Sequence, residues 1–462
     1  MAAAEALGSL ESLLSRTGDR RRLVSITTAV EVADPSAMVF ASRRADDRWF
    51  CWEQPDRAGF ALAGLGSVHE AVSRGPNRFQ DVATACAAAL RGRVHDEPPG
   101  LPAGAGPAWV GGFAFDSEGG RKGPWASFPP ALMFLPELLL HREAGRTYLT
   151  LCAIGDPGAD PAEAVARLEA RVAGLRSREL PLPDPHPTAA TRIASASPPE
   201  LYERSVAAAV ERIRGRELQK VVLAREVVAQ APRAHDAGAV FGALREVFPS
   251  CFCFCCGSPE GAFLGASPEL LIRRAGASAA TVGLAGSTRR SADPAVDDHL
   301  GEKLRTSAKD RSEHEIVVRR IERALRPHSV WVEAAPEPGL VKVANIQHLG
   351  TPIHAQLAEP RSAIDLAGKL HPTPAVGGEP REVALQAIAE LEELDRGWYA
   401  GPVGWMDAAE DGEFCVALRS ALLRDRDAHL FAGAGIVADS LPDAELAETE
   451  LKLGALLPLV TG

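Results

Sequence analysis

The sequence has no excess of positive charge, no long apolar run, no paired cysteines and no convincing internal repeat. Lys+Arg number 50 against 61 Asp+Glu, a net charge of −11, so neither nucleic acid nor an anionic membrane is expected as a partner. Met1 to Arg22 alternates small, acidic and basic residues around no apolar segment. It reads as a frayed start, with neither a secretory signal nor a membrane span. The eight cysteines lack zinc-ligand spacing, and four crowd into Cys251-Phe252-Cys253-Phe254-Cys255-Cys256. Thiols alternating with phenylalanine predict a buried strand of reduced cysteines and a cytoplasmic protein. What is present is a globular composition, 46% hydrophobic and 24% charged, long enough for up to about three domains at ~150 residues each. A small-molecule ligand is the expected partner.

Residues 1–199 read as a strand-rich α+β part without a catalytic constellation. Leu23 to Val30 alternates as a strand, and Trp49 to Trp52 with Phe60 to Gly64 forms a predicted hairpin. Helical periodicity covers Val82 to Arg91 and Pro161 to Leu175, with strands at Trp109 to Phe115 and Thr147 to Cys152 between them. The prolines of Arg178 to Glu200 predict an exposed crossing to a second part, residues 200–460.

That second part carries polar residues in apolar settings. Lys220 opens a strand, Leu218 to Val227, that is apolar on both faces, and it shares one face with Val222 and Ala224. Such a lysine either snorkels to water or is a desolvated amine able to act as a base. Glu269 sits in Ser267-Pro268-Glu269 between two apolar strands, where it is either a backbone cap or an acid of raised pKa. A helix from about Arg311 to Leu325 places Glu313 on the face of Val317 and Ile321. Near the end, Leu430-Phe431-Ala432 reads as a short strand meeting Gly433 and Gly435, whose bare backbone suits close approach to a ligand. Pro442 then starts a helix on which Glu445, Glu448 and Lys452 share a face with Ala444, Leu451 and Ala455. A solvated acidic face fits that spacing as well as a site does. Oxygen-only acids on two separate helices suit a hard cation such as Mg2+. Arg419, between apolar residues, suits a substrate carboxylate, while His348 and Tyr399 fit either pocket walls or satisfied core polar groups.

These stretches together resemble the chorismate-utilising enzymes, isochorismate synthases in particular. The resemblance runs through Gln219 to Arg225, Ser267-Pro268-Glu269-Leu270, Leu284-Ala285-Gly286-Ser287, Glu313-His314, Gln347-His348-Leu349, His371 to Gly378, Gly433 to Ile436 and the closing acidic set. It implies one large α+β domain of two stacked antiparallel β-sheets flanked by helices, with the site in the cleft between them. It implies that Lys220 activates water to attack C2 of chorismate while Glu269 protonates the departing C4 hydroxyl. Glu313, Glu445 and Glu448 look like Mg2+ ligands. Gly286, Ser287, His348, Tyr399, Arg419, Gly433, Gly435 and Lys452 look like substrate contacts. Ala285 stands where aminodeoxychorismate synthases often carry a nucleophilic lysine, so water and no glutaminase partner are expected, in a monomer or homodimer. Asp395-Arg396-Gly397-Trp398-Tyr399 and the long first part look more like menaquinone-pathway enzymes than siderophore ones. A salicylate synthase that also eliminates pyruvate, and a non-catalytic chorismate-binding relative, are the alternatives.

Overall fold

The structure is a computed structural model and describes residues 2–120, 123–183, 190–344 and 346–461. Two large sheets dominate it. In a 13-stranded sheet, Lys220–Gln230, Asp427–Ile436, Ser420–Arg424, Gly261–Ser267 and Phe252–Ser258 lead through Trp49–Gln54 and Phe60–Leu65 to Arg146–Gly155 and Arg22–Val30. A 10-stranded sheet runs from Ser329–Ala334 through Ile346–Leu357, Ser278–Arg289, Leu270–Ala275, Gly412–Val416 and Pro402–Asp407 to Ala108–Phe113 and Ala131–Leu135. Each sheet draws strands from both sides of residue 199. Trp49–Gln54 pairs with Phe252–Ser258, and Ala108–Phe113 pairs with Pro402–Asp407.

One core joins the inner faces of both sheets. Phe50, Trp52 and Leu62 of the larger sheet pack in the same cluster as Trp109, Phe134, Ile272 and Phe414 of the smaller. Phe60 stacks on Trp405 across the layers with centroids 5.9 Å apart. Strands buried on both faces explain the continuous apolar runs, because an outer layer of helices takes the place of water. The Phe252–Ser258 strand is buried throughout, and all eight cysteines are buried free thiols, as the alternating Cys-Phe run predicts. No helix among the described residues is long and apolar enough to cross a membrane.

Several expectations need correction. The opening segment is a helix, Ala2–Ser15, with Leu7, Leu10, Leu13 and Leu14 buried against Val24, Leu149 and Leu151. The leucine spacing supplies the apolar face that its small and charged neighbours obscure. The sheets are not wholly antiparallel, since Arg22–Val30 pairs in parallel with Val94–Asp96. Part of the proline-rich crossing, residues 184–189, lies outside the described residues, and Arg192–Ser195 just after it adds a strand to Lys220–Gln230. Gly433 and Gly435 lie within a ten-residue strand, Asp427–Ile436, not beyond a short one. On the helix Pro442–Leu453 the buried positions are Glu445, Thr449 and Leu453, whereas Ala444 and Leu451 are exposed.

Candidate active site

The chain crosses from one sheet to the other twice at neighbouring points. Gly261–Ser267 leaves the larger sheet and Leu270–Ala275 enters the smaller, with Pro268 and Glu269 between. Gly412–Val416 leaves the smaller and Ser420–Arg424 enters the larger, with Arg419 between. Backbone bonds from Val416 N to Glu269 O at 3.0 Å and from Ala266 N to Arg419 O at 3.1 Å fasten the crossings together. Arg419 takes φ +46°, a backbone state that costs a non-glycine residue energy and that the paired crossings hold in place. Strands that part here leave room for a cleft. Every residue named above as base, acid, substrate contact or metal ligand lines it.

Lys220 begins its strand 1% exposed, and its Nζ lies 2.7 Å from Glu313 Oε1 on the helix Ala308–Leu325. That pair passes directly over Gly435. A Cβ there would meet Glu313 Oε1 at 2.8 Å and Lys220 Cε at 3.0 Å, so the side-chain-free backbone is what admits the pair. Gly433 is similarly crowded, with Leu223 O 3.1 Å and the Tyr399 hydroxyl 3.3 Å from a hypothetical Cβ. Tyr399 stacks on Phe431, with centroids 5.3 Å apart. Lys452 donates to Gly433 O at 2.7 Å and pairs with Glu448 at 2.8 Å. Ser287 donates to the same Glu448 oxygen at 3.2 Å. It follows Gly286, whose φ of +70° forms a bulge opposite the Ile346–Leu357 strand and turns Ser287 toward the helix.

Glu269 is fully enclosed, and burial pushes its pKa up to about 7; Lys220, the Thr373 hydroxyl and Lys452 oppose that rise without cancelling it. Thr373 donates to Glu269 Oε1 at 3.4 Å. The imidazole of His348 is held neutral, its pKa driven well below 6.5 by burial and by Arg419 and Lys452. Its tautomer follows from its partners. Arg419 Nη2, 2.8 Å from His348 Nε2, can only donate, so Nδ1 carries the proton and donates to Gly286 O at 3.2 Å. The Nη1 of Arg419 is buried with no hydrogen-bond partner among the described residues, beside the Cys251 thiol. Arg419 also lines the cleft, where a guanidinium suits a carboxylate.

The acids form a second group. Burial and the neighbouring Glu448 raise the pKa of Glu445, although Ser440 opposes them. Burial, Glu313 and Glu448 likewise raise that of Asp310. Burial also works against the charge on Glu448, but Lys452, Ser287 and Lys309 outweigh it and hold its pKa down. Two expected metal ligands, Glu313 and Glu448, here take lysines as counter-ions, and among the described residues no three His, Cys, Asp or Glu groups converge as a metal cluster. The donor set is nonetheless all carboxylate oxygen and mutually repulsive, which suits a hard divalent cation. Sequence reasoning missed Lys309, 4.0 Å from Glu445, and Asp310; both lie in the first turn of the Glu313 helix. Thr373, inside the His371 to Gly378 stretch, is a further site residue that no local signal singles out.

Residues 8–461 match the family model described as chorismate binding enzyme. The protein belongs to that family. A salicylate biosynthesis isochorismate synthase from Pseudomonas aeruginosa is 38% identical over 98% of this chain and 92% of its own. The isochorismate synthase MenF of Bacillus subtilis is 33% identical over 95% of this chain and 94% of its own. Among solved structures, the menaquinone-specific isochorismate synthase MenF from Escherichia coli superposes with a TM-score of 0.80 at 28% identity, covering 100% of each chain. Four cationic side chains, Lys220, Lys309, Arg419 and Lys452, line the cleft among the described residues.

Proposed function

We propose that the protein is an isochorismate synthase, converting chorismate to isochorismate. The observation that carries this reading is a buried lysine and a protonatable buried glutamate, Lys220 and Glu269, lining one cleft with the carboxylate receptor Arg419. Water forms a bond to C2 and loses a proton to Lys220 Nζ, both ring double bonds shift, from C1=C2 to C1=C6 and from C5=C6 to C4=C5, and the C4 oxygen leaves with a proton from Glu269. The C4 hydroxyl departs as water, so atoms and charge balance. The reverse reaction runs with the two residues in exchanged roles. Lys220 can accept a proton only as the neutral amine, so in the reacting state it is not the ammonium that pairs with Glu313. Glu269 at about 7 retains a proton near neutrality while remaining acidic enough to release it.

Glu313, Glu445 and Glu448 would hold Mg2+, which when bound supplies electrostatic anchorage for the substrate's ring carboxylate. Arg419 and Lys452 orient the carboxylates, and His348, kept neutral, fixes Arg419. The product's use is assigned to menaquinone supply, on whole-length likeness to both MenF proteins. Supply of salicylate is a second reading, favoured by the P. aeruginosa relative. The deciding experiment incubates the purified protein with chorismate and Mg2+, with and without chelator, and identifies the product by chromatography and mass. Metal-dependent isochorismate is expected. Salicylate with pyruvate moves the assignment to a lyase, and turnover only with added ammonia makes Lys220 the wrong base. Growth rescue of a menaquinone-auxotrophic strain separates the two uses of the product.

A further inference from the structure

Behind the cleft wall lies a buried ion pair that the reaction above does not use. Glu392 caps the end of the helix Arg381–Leu391, Arg396 follows in the next loop, and each side chain is 3% exposed. Taking two charges out of water costs several kcal/mol, which their mutual attraction returns only when the remaining donors and acceptors are also satisfied. Here they are, and the partners are instructive. Arg396 donates to Glu392 through Nε at 2.9 Å and again through Nη2. Its Nη1 donates to Val376 O at 2.9 Å and its Nη2 to Val222 O at 2.9 Å. Glu392 accepts from Ala224 N at 2.7 Å. The guanidinium lies 4.1 Å over the Phe115 ring, which holds its plane.

The two carbonyls gripped by Arg396 belong to the two segments whose spacing matters for chemistry. Val222 is two residues beyond Lys220 on the same strand and the same face. Val376 is three residues beyond Thr373, the hydrogen-bond donor to Glu269. Val222 and Val376 themselves line the cleft. The segments also meet directly, through Val222 N to Gly377 O at 2.8 Å and at Gly378, where a Cβ would meet Lys220 O at 2.3 Å. Apolar residues of the same volume would fill this space at least as stably. They would not fix the direction of two carbonyls.

We propose that Arg396, held by Glu392, is a positioning residue: it sets the spacing between the Lys220 strand and the Thr373–Val376 segment, and so between base and acid. This rests on the isochorismate synthase reading. The test measures kcat and KM for chorismate, thermal stability and backbone amide exchange in the full-length protein and three variants: Arg396→Lys, Arg396→Met, and Arg396→Met combined with Glu392→Leu. Arg396→Lys keeps the charge but loses the fork, so kcat should fall ~10- to 100-fold while KM stays within about threefold. Arg396→Met strands a buried carboxylate and should lose stability. The double variant should regain that stability without regaining kcat. Wild-type kcat in Arg396→Lys, or recovery of kcat together with stability in the double variant, overturns the proposal. Should Arg396→Met fail to fold, the other two variants still decide. Should the wild type leave chorismate unchanged, the enzymatic reading fails by itself, and amide exchange remains. Faster exchange at Val222 in Arg396→Lys supports the brace, and wild-type exchange there overturns it.

Discussion

Two glutamates at one pair of neighbouring strands are treated in opposite ways. Glu413, in Gly412–Val416, is wholly buried and met by two arginines, Arg57 at 3.0 Å and Arg273 from the adjacent strand. Glu269, at the start of that adjacent strand, is also buried, yet its nearest polar partners are a threonine hydroxyl and its own turn. The chain sets counter-charge in direct contact at one end of the strand pair, and at the other leaves only Lys220 and Lys452 acting without a salt bridge, too weakly to cancel burial. Counter-charge fixes a carboxylate in its ionised form, whereas burial without it favours the proton. Glu413 is therefore built to hold two strands together, and Glu269 to give up and retrieve a proton.

The largest test of that contrast exchanges each glutamate for its neutral isostere. Glu269→Gln should lower kcat by ~10²- to 10⁴-fold, the range for loss of a general acid, and Lys220→Ala should lose as much or more. Glu413→Gln should leave kcat within about threefold but destabilise the fold by about 1–3 kcal/mol, a buried-pair cost reduced because both arginines are about a third exposed. Chorismate turnover with denaturant unfolding of each variant reads both quantities. A Glu413→Gln protein that is stable and inactive would collapse the distinction.

A second test uses pH. The acid form of Glu269 is the working form, so turnover should fall as pH rises through about 7. Stability should move with it. Unfolding returns the carboxyl to about 4.5, so between that value and about 7 the folded state binds more protons than the unfolded one, and stability is lost as pH rises through this window. The shift corresponds to about 3 kcal/mol. Glu269→Gln should remove that slope and be the more stable protein at pH 8, with the two curves meeting near pH 4. Parallel curves would mean that Glu269 is not protonated in the folded state.

The contrast also marks what could be read beforehand. Lys220, Glu269, Glu313 and the Gly433 to Lys452 stretch announce themselves locally, as charge within apolar periodicity or glycine beside it, and the structure gathers them in one cleft. Which charge meets which was not legible. Lys220 with Glu313 joins residues 220 and 313, and Arg396 reaches back to Val222, contacts that only the sheet order creates. The opening helix was missed because its four leucines sit among small and charged residues. The parallel pairing of Arg22–Val30 with Val94–Asp96 leaves no periodic trace at all.

The finest distinction concerns the hydrogen bond that the Glu269 carboxyl receives from Thr373. Thr373 donates at 3.4 Å, near the limit of useful geometry, and its effect is to favour the ionised carboxylate against the burial that opposes it. Thr373→Val keeps the volume and removes the donor. The Glu269 pKa should then rise, and the alkaline limb of the turnover profile should move to higher pH with it, with kcat at its plateau little changed. A limb that stays in place means that burial alone sets the acid, and Thr373 only fills space. A limb that moves downward would mean that the threonine accepts from a protonated Glu269, and the assignment of donor and acceptor between these two side chains would have to be reversed.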